Sequence, residues 1–227
     1  MKKVVVFTGA GISVESGLPT FRGTDGLWEG HRIEDVATPE AWKRNPDLVQ
    51  KFYNKRRSDC LSVQPNHAHL KLAELEKDYD IEIITQNIDD LHERAGSSKV
   101  LHLHGQIRKS QSSKNPNLIY DIEGADIKKG DRCELGSQLR PHVVWFGEPV
   151  PNMDQAYKIA READVFITIG TSLQVYPAAN LIYETKANCK LILIDPNAEQ
   201  YNVPAVVIRI SEKASIGVDY LAELLTK

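Results

Sequence analysis

Short runs of apolar, mostly β-branched residues recur along the chain, and stretches with helical spacing separate several of them. The first run, Val4–Phe7, ends close to Gly9 and is typical of a strand buried on both faces of a parallel sheet. The pattern predicts further strands at Ile81–Thr85, Val100–His104, His142–Phe146, Val165–Ile169, Leu191–Ile194 and Val206–Ile210. Apolar residues at helical spacing predict helices at Asn66–Asp78, Asp154–Ala163, Pro177–Ala187 and about Gly217–Leu225. This alternation predicts an α/β fold with a mainly parallel sheet.

Two stretches interrupt the alternation, and we expect them to form a small, discontinuous second lobe. Residues 23–62 carry no strand pattern, but Asn45, Pro46 and Asp47 supply the N-cap, first-turn proline and acidic residue of a helix start. Residues 106–139 are polar and form the second part of the expected lobe. The larger predicted domain then consists of residues 1–22, 63–105 and 140–227.

Composition narrows the class of protein. The chain has 227 residues and is 41% hydrophobic, which fits one large domain. Its formal net charge of −3 argues against a protein that binds nucleic acid or an anionic membrane, because such a protein would carry a basic patch. The N-terminal apolar run is too short for a signal peptide or a membrane span. Three cysteines and no CxxC pair exclude a disulfide framework and a four-cysteine zinc site, so we expect no metal and a cytoplasmic location.

A glycine-rich turn follows the first predicted strand. In Thr8-Gly9-Ala10-Gly11-Ile12-Ser13, two glycines allow the close backbone approach that a pyrophosphate requires, with a helix N-terminus behind them. The last glycine of a GxGxxG pattern is displaced to Gly17. Taken alone, this turn is equally consistent with nucleotide binding and with a plain sharp turn.

Five ordered segments resemble the motifs of the sirtuins, the NAD-dependent protein deacylases. The first runs from Gly9 to Gly23 and reads GAGISVESGLPTFRG. The others are Thr85-Gln86-Asn87-Ile88-Asp89, Leu103-His104-Gly105, the segment LRPHVVWFGE at 139–148, and Gly170-Thr171-Ser172. The resemblance implies a Rossmann-type large domain and a small lobe, with NAD and an acyl-lysine protein or peptide bound between them.

The same resemblance implies which residues bind NAD. Several lie in turns after predicted strands, where α/β sheets bind ligands. The family commonly has asparagine close to Asp195, so this part of the motif departs from the pattern. The implied cofactor-binding residues are Gly9, Ala10, Gly11, Ile12, Ser13, Thr20, Phe21, Arg22, Gln86, Asn87, Ile88, Asp89, Gly170, Thr171, Ser172, Asp195, Asn197 and Ala214.

The resemblance also implies the catalytic residues. It makes His104 the general base, whose neutral imidazole accepts a proton from a ribose hydroxyl, and it assigns the nicotinamide and its ribose to Asn87 and Asp89. The acyl group is then transferred to ADP-ribose, and nicotinamide is released. His102 shares a strand face with His104, and we interpret it as a packed or satisfied histidine.

Three further positions resemble the sirtuin class that removes succinyl and malonyl groups. Tyr53 and Arg56 share one helix face, and a phenol with an arginine fork satisfies a buried carboxylate. Ala37 matches a small residue that leaves the acyl pocket wide. From spacing alone, a tyrosine and an arginine three residues apart more often form a solvent-exposed helix face than a binding site. The resemblance further implies that a substrate peptide pairs as an added strand with Val144, Phe146 and Gly147.

The chain departs from the family at its zinc site. Most sirtuins carry two CxxC pairs in the small lobe, where this chain has Lys109–Ser113 and a single Cys133. One cysteine cannot form a tetrahedral thiolate site, so packing must hold the lobe together. The expected apolar residues of this packing are Ile107, Leu118, Ile119, Tyr120, Ile122, Ile127, Leu135 and Leu139.

Two other functions are also consistent with these sequence motifs. An NAD glycohydrolase or mono-ADP-ribosyltransferase would use the same nicotinamide-releasing step, and a non-catalytic NAD-sensing module would need only the binding residues. His104, Asn87 and Asp89 speak against the sensing module. We therefore expect a monomeric NAD-dependent protein-lysine deacylase with acyl-lysine proteins as partners.

Overall fold

The computed structural model describes residues 1–20 and 28–226, so Phe21 and Arg22, which were predicted to bind NAD, lie outside the described residues. Its strands are β1 (Lys3–Thr8), β2 (Asp80–Thr85), β3 (Val100–His102), β4 (Gly105–Ser112), β5 (Ile119–Asp121), β6 (Leu139–Val143), β7 (Val165–Ile169), β8 (Lys190–Ile194) and β9 (Ile208–Ile210). Its α-helices are α1 (Ile33–Val36), α2 (Pro39–Arg44), α3 (Pro46–Ser62), α4 (His67–Leu75), α5 (Leu91–Ala95), α6 (Met153–Glu162), α7 (Ala214–Gly217) and α8 (Leu221–Thr226). Short 3₁₀ helices lie at Ala10–Ser16, Ala178–Tyr183, Ala198–Gln200 and Val218–Tyr220.

The main sheet has six parallel strands in the order β3-β2-β1-β7-β8-β9. Val4 of β1 lies opposite Ile81 of β2 and Val165 of β7. The chain proceeds outward in one direction from β1 to β3 and in the other direction from β7 to β9. In open α/β sheets this reversal opens a ligand crevice at the carboxyl ends of the strands, here beyond Thr8 and Ile169.

Helices cover both faces of this sheet, which explains the uninterrupted apolar strands. Val5 and Phe7 belong to a hydrophobic cluster that includes residues of α6, whereas Val4 and Val6 belong to a cluster with residues of α4 and α8. Asn45 and Asn66 cap α3 and α4 by accepting hydrogen bonds from Leu48 N and Ala68 N at 3.1 and 3.0 Å. The predicted α/β fold and the helix start at Asn45 are therefore confirmed.

The small lobe combines α1, α2 and α3 with a three-stranded antiparallel sheet in the order β5-β4-β6. A second core of mainly aromatic residues joins them, among them Trp28, Phe52, Tyr53 and Trp145. Because β6 pairs with β4, the small sheet extends to Val143, past the expected boundary at residue 139.

The apolar packing predicted for this lobe is largely wrong. Ile107 and Ile127 are buried, but Ile119 and Leu135 are exposed, and the other four predicted residues are only half-buried. Polar side chains fill the interior of the small sheet instead. The buried polar residues there are Ser110, Gln111, Ser112, Ser137 and Arg140.

Three predicted strands differ from the structure by two residues or more at one end, among them β9, which begins at Ile208 rather than at Val206. The strand predicted at His142–Phe146 is β6, which ends at Val143 and belongs to the antiparallel sheet. Beyond it, Val144 N still donates to His104 O at 2.9 Å, in the register that pairs Gly105 with Val143. Phe146 N instead donates to Ala37 O at 3.0 Å, outside the sheet. Strand β3 ends at His102, two residues before the predicted end.

Helical predictions also need adjustment. The segment predicted as a helix at Pro177–Ala187 contains a 3₁₀ helix at Ala178–Tyr183, whose buried residues suit an i, i+3 repeat as well as an α-helical one. The turn after β1 likewise leads into a 3₁₀ helix, without a side-chain N-cap. Among the residues described, no helix is long and apolar enough to cross a membrane.

Candidate active site

A cleft of about 740 Å³ lies between the carboxyl ends of the main strands and the small lobe. It brings together residues that are far apart in the chain. The predicted residues that line it are Gly9, Ala10, Gly11, Ser13, Thr20, Ala37, Tyr53, Arg56, Gln86, Asn87, Ile88, Asp89, His104, Val144, Phe146, Gly147, Gly170, Thr171, Ser172, Asp195, Asn197 and Ala214. Ile12 does not line it, because its side chain is fully buried in the core below the turn.

The glycine turn after β1 packs directly against the turn after β7. Gly11 N donates to Gly170 O at 2.8 Å, and a Cβ on Gly11 would stand 2.7 Å from Gly170 Cα. A Cβ on Gly9 would stand 2.6 Å from Thr171 Cβ. These glycines are required for the two turns to meet, and the backbone they leave uncovered forms one wall of the cleft.

A buried polar network lies beside this wall. The Asn87 side-chain amide donates to Gly9 O and Ser13 Oγ, both at 3.2 Å, and Ser13 Oγ donates to Asp89 Oδ2 at 3.0 Å. Leu91 N donates to Asp89 Oδ1 at 3.2 Å. Burial raises the pKa of Asp89, although these two hydrogen bonds oppose that shift. The network holds an amide and a carboxyl group at the floor of the cleft.

His104 is half-buried in the cleft, and its hydrogen bond determines which ring nitrogen is available. His104 Nδ1 lies 3.0 Å from Gln86 O, and a carbonyl can only accept, so we assign the proton to Nδ1. The Nε2 lone pair then remains available as a proton acceptor. Burial lowers the pKa of His104 below its ordinary value, which keeps the ring neutral near pH 7. The arrangement suits a general base.

His102 is buried directly behind this network and holds it in place. Its Nδ1 lies 2.8 Å from Asn87 O and its Nε2 lies 2.7 Å from Glu93 Oε1. Both partners accept hydrogen bonds, so both ring nitrogens donate and the ring is an imidazolium. Burial alone would lower the pKa of His102, but Glu93 raises it. His102 is thus satisfied, as predicted, and it also positions the backbone of Asn87.

The far end of the cleft presents a carboxylate at the end of β8. Asp195 Oδ1 accepts hydrogen bonds from Tyr201 OH at 2.8 Å and from Asn197 N at 2.9 Å. Burial and the neighbouring Asp195 carboxylate raise the pKa of Tyr201 to about 12, so its hydroxyl stays protonated and donates. The described part of the chain directs no donor at Asp195 Oδ2, which leaves that oxygen as an acceptor for a sugar hydroxyl.

Tyr53, Arg56 and Ala37 line the end of the cleft that belongs to the small lobe. Burial raises the pKa of the Tyr53 phenol, whose oxygen accepts a hydrogen bond from Trp145 Nε1 at 3.1 Å. The Arg56 guanidinium lies 4.5 Å from the ring centre of Trp28 and forms an ion pair with Glu29. These contacts hold a phenol and a guanidinium in fixed positions at the cleft.

The segment after β6 offers fewer backbone groups than strand addition to a peptide would use. Val144 N and Phe146 N already donate within the chain, and Trp145 N donates to Glu148 Oε2 at 2.8 Å. A peptide pairing here would therefore depend on other groups, including the N–H of Gly147, which has φ 89°.

Sequence reasoning missed several residues of the cleft. Trp145 and Glu148 belong to the motif at 139–148, which could have identified them as neighbours of the site. Trp28, Glu29 and Tyr201 lie outside every quoted motif, and no spacing rule indicates them.

Comparisons with known proteins agree with this geometry. A sequence model described as the Sir2 family matches residues 9–177. An NAD-dependent protein deacylase of Helicobacter pylori (strain ATCC 700392 / 26695) is 53% identical over 214 residues, which cover 94% of this chain and 93% of the relative. A solved complex of a Sir2 homologue with NAD has a TM-score of 0.87 and 42% identity, covering 99% of this chain and 90% of that one. A mutant Sir2 homologue bound to ADP-ribose has a TM-score of 0.90 and 41% identity, covering 99% and 92%.

The fold and the cleft thus define an α/β enzyme of the Sir2 family, to which this chain belongs. It is an NAD-dependent protein deacylase, and NAD is its cofactor. The residues present fit NAD, because the uncovered backbone at Gly9 and Gly11 and the carboxylate of Asp195 offer the groups that a dinucleotide requires. The predicted family, fold and cofactor are confirmed.

Proposed function

We propose that this protein removes acidic acyl groups, succinyl and malonyl, from lysine side chains of proteins, and that it also accepts the neutral acetyl group. The observation that carries the proposal is a buried donor without a partner. Arg56 lines the acyl end of the cleft, and its buried Nε meets no acceptor among the described residues. A buried N–H of this kind costs free energy unless a ligand supplies an acceptor.

A carboxylate is the acceptor that suits this position. The planar guanidinium of Arg56 can bind both carboxylate oxygens, and such charge-assisted hydrogen bonds are strong. Tyr53 adds a hydroxyl whose oxygen already accepts from Trp145 Nε1, so its proton is available for a ligand. Ala37 is the small residue beside them, and it leaves room for a longer acyl chain. A neutral acetyl group would fill less of this space.

The catalytic residues act around this acyl pocket. The chemistry that NAD supplies when bound is cleavage of its bond to nicotinamide, with ADP-ribose as the acyl acceptor. His104, neutral and with Nε2 available, accepts a proton from a sugar hydroxyl. Asn87, oriented by Ser13 and by the backbone contact of His102, holds the nicotinamide end together with Asp89.

Kinetics of an arginine variant test the acyl preference. Arg56→Met keeps an unbranched, flexible side chain and removes the charge, so we expect kcat/KM for a succinyl-lysine peptide to fall by roughly 100-fold or more. The value for the acetyl-lysine peptide should fall far less, because an acetyl group makes no ion pair. Arg32→Met is the matched control, since the Arg32 side chain is 70% exposed and forms an ion pair with the exposed Glu34.

Equal losses of both activities in Arg56→Met would contradict the proposal.

Product masses should be recorded in the same assays. O-acyl-ADP-ribose forms only in deacylation, whereas a glycohydrolase would release ADP-ribose without an acyl group, and an ADP-ribosyltransferase would modify the peptide.

We further propose that the small lobe folds without zinc. Within residues 1–20 and 28–226, no group of three or more His, Cys, Asp or Glu side chains is arranged to hold a metal ion. Cys133 instead contacts two hydroxyl groups, Ser112 Oγ at 3.3 Å and Ser137 Oγ at 3.1 Å. This cluster supplies the cross-links between β4 and the loop before β6.

Two proposals concern the setting in which the enzyme works. Cys60, Cys133 and Cys189 are free thiols, which suits a reducing compartment, and we place the protein in the cytoplasm. We also propose that the protein is a monomer that acts on acyl-lysine proteins. Light scattering during gel filtration would measure the mass, and a stable dimer would contradict this proposal.

A further inference from the structure

One carboxylate of the chain already occupies the guanidinium on which the proposed acyl preference depends. Glu29 Oε1 forms an ion pair with Arg56 Nη1, and both residues line the cleft. The Arg56 side chain is 13% exposed and that of Glu29 is 21% exposed. Solvent therefore screens this pair less than it screens the fully exposed ion pairs of the surface.

A tight turn holds Glu29 in this position. Trp28 and His31 exchange backbone hydrogen bonds, with Trp28 N donating at 2.8 Å and His31 N donating at 3.0 Å. Glu29 and Gly30 lie between them with φ of 49° and 78°. A glutamate with positive φ is uncommon and costs conformational free energy, which motivates a functional hypothesis when the residue lines a binding cleft.

The Arg56 guanidinium still has a hydrogen-bond donor without an acceptor. Glu29 contacts Nη1, while the buried Nε contacts no acceptor in the described part of the chain. An acyl carboxylate at the Nε edge would share this guanidinium with the Glu29 carboxylate. Two carboxylates on one guanidinium repel each other, so the ligand must either tolerate this repulsion or displace Glu29.

We propose that Glu29 is a specificity-determining residue that acts as the internal counter-ion of Arg56. This inference rests on the proposed role of Arg56 in binding acidic acyl groups. When the acyl group is neutral, Glu29 keeps the Arg56 charge paired in a cleft that has lost its water. When the acyl group carries a carboxylate, Glu29 competes with it for the same guanidinium. Glu29 thereby allows one pocket to accept both classes of acyl-lysine, and it weakens the preference for the acidic class.

Neutralising Glu29 tests the inference. Glu29→Gln keeps the size of the side chain and an oxygen that can accept from Arg56, but removes the negative charge. We expect the ratio of kcat/KM for succinyl-lysine to kcat/KM for acetyl-lysine peptides to rise by about tenfold. The change should come from a lower KM for the succinyl peptide and a higher KM for the acetyl peptide, with kcat little affected. Glu29→Asp keeps the charge and should keep the ratio near that of the unmodified enzyme.

Two further variants complete the experiment. Glu34→Gln makes the same chemical change at a side chain that is 67% exposed and pairs with Arg32 outside the cleft, so it should leave the ratio unchanged. Glu29→Asn is a second neutral variant, and asparagine tolerates positive φ better than most residues, which protects the turn. Thermal unfolding of each variant verifies that the small lobe remains folded.

The outcomes separate this inference from the proposed function. An unchanged ratio in both neutral variants would overturn it, and so would a higher KM for the succinyl peptide, which would mean that Glu29 positions Arg56 for its ligand. Arg56→Met in the same assays tests the proposed function alone. If that variant loses desuccinylation selectively while the neutral Glu29 variants behave as the unmodified enzyme, only the role of Glu29 is refuted.

Discussion

Trp145 Nε1 donates to the phenol oxygen of Tyr53 at 3.1 Å, and this bond orients the Tyr53 hydroxyl. The indole is itself fixed, because the Arg140 guanidinium lies 3.7 Å from its ring centre and Glu148 pairs with Arg140 at 2.9 Å. Since the Tyr53 oxygen accepts from one side, its proton is free to donate to a ligand in the cleft. Trp145 is thus a positioning residue for the acyl pocket.

Trp145→Phe should therefore weaken the binding of acidic acyl groups. The variant keeps an aromatic ring but removes the N–H, so we expect KM for a succinyl-lysine peptide to rise by about three- to tenfold, with a smaller change for an acetyl-lysine peptide. The effect should vanish in a Tyr53→Phe background, because the hydroxyl that Trp145 orients is then missing. Additive effects of the two substitutions would show that Trp145 acts independently of Tyr53.

His104→Ala should abolish deacylation of every acyl-lysine peptide. We expect kcat/KM to fall by roughly 1,000-fold or more, as for other lost general bases, while the fold persists. The control is His67→Ala, because His67 is exposed and pairs with Asp219 at the surface. Turnover by His104→Ala close to that of the unmodified enzyme would refute its role.

The pH dependence of kcat/KM reports the same residue. A base must be neutral to accept a proton, and burial lowers the pKa of His104. The activity should therefore stay level through neutral pH and fall only below the ordinary histidine value of about 6.5. An acidic limb centred above pH 7 would contradict this assignment.

The ion pair between His102 and Glu93 should make a pH-dependent contribution to the free energy of unfolding. The pKa of His102 is raised and that of Glu93 is lowered in the folded state. The contribution is thus fully present between the ordinary pKa values of glutamate and histidine. It is lost as the pH rises through the raised pKa of His102, and also as the pH falls through the lowered pKa of Glu93. Glu93→Gln should cost about 1 kcal/mol near pH 6, because the Glu93 side chain is 37% exposed and solvent screens part of the interaction.

Denaturant unfolding at several pH values measures this contribution. The difference between Glu93→Gln and the unmodified protein should shrink as the pH rises through the raised pKa of His102, and again as the pH falls through the lowered pKa of Glu93. Glu74→Gln serves as the control at an exposed helix position. A difference that stays constant over the whole pH range in which the protein folds would show that the pair is not an ion pair.

Ser112 should be a principal anchor of the small lobe. Its hydroxyl oxygen accepts from Lys114 N and Asn115 N, both at 3.1 Å, and lies 2.8 Å from Ser137 Oγ. Ser112→Ala removes all three of these hydrogen bonds, so we expect a loss of about 1–3 kcal/mol in the free energy of unfolding. Ser113→Ala is the control at the exposed neighbouring position.

Metal analysis accompanies this experiment. If hydrogen bonds replace zinc, the purified protein should contain no stoichiometric zinc, and strong chelators should change neither its activity nor its unfolding. One equivalent of bound zinc, or unfolding by a chelator, would contradict the proposal. So would a Ser112→Ala variant as stable as the unmodified protein.

The fold class and most of the residues of the cleft could be predicted from the sequence, because the patterns that indicate them are local. Apolar strands such as Val4–Phe7 reflect burial on both faces, and the glycines at 9 and 11 reflect a backbone that must approach another turn closely. Caps such as Asn45 involve neighbours three residues away. Patterns of this kind depend on short-range geometry and can therefore be recognised without coordinates.

The composition of the small lobe was harder to predict for the opposite reason. Eight apolar residues suggested an apolar core, yet polar groups such as Ser112 and Gln111 occupy the interior. Whether a serine is buried depends on hydrogen-bond partners from distant parts of the chain. For Ser112 the partner is Ser137, in the loop before β6. Hydrophobicity by itself does not contain that information.

Pairings across the lobe arise only in three dimensions. Glu29 and Arg56 are separated by 27 positions and belong to a turn and a helix, and Trp145 meets Tyr53 across 92 positions. The sequence alone was sufficient to identify an NAD-binding α/β enzyme, because short backbone and burial patterns define it. The tertiary structure alone showed which carboxylate neutralises Arg56 and which donor orients Tyr53, because long-range packing decides which side chains meet.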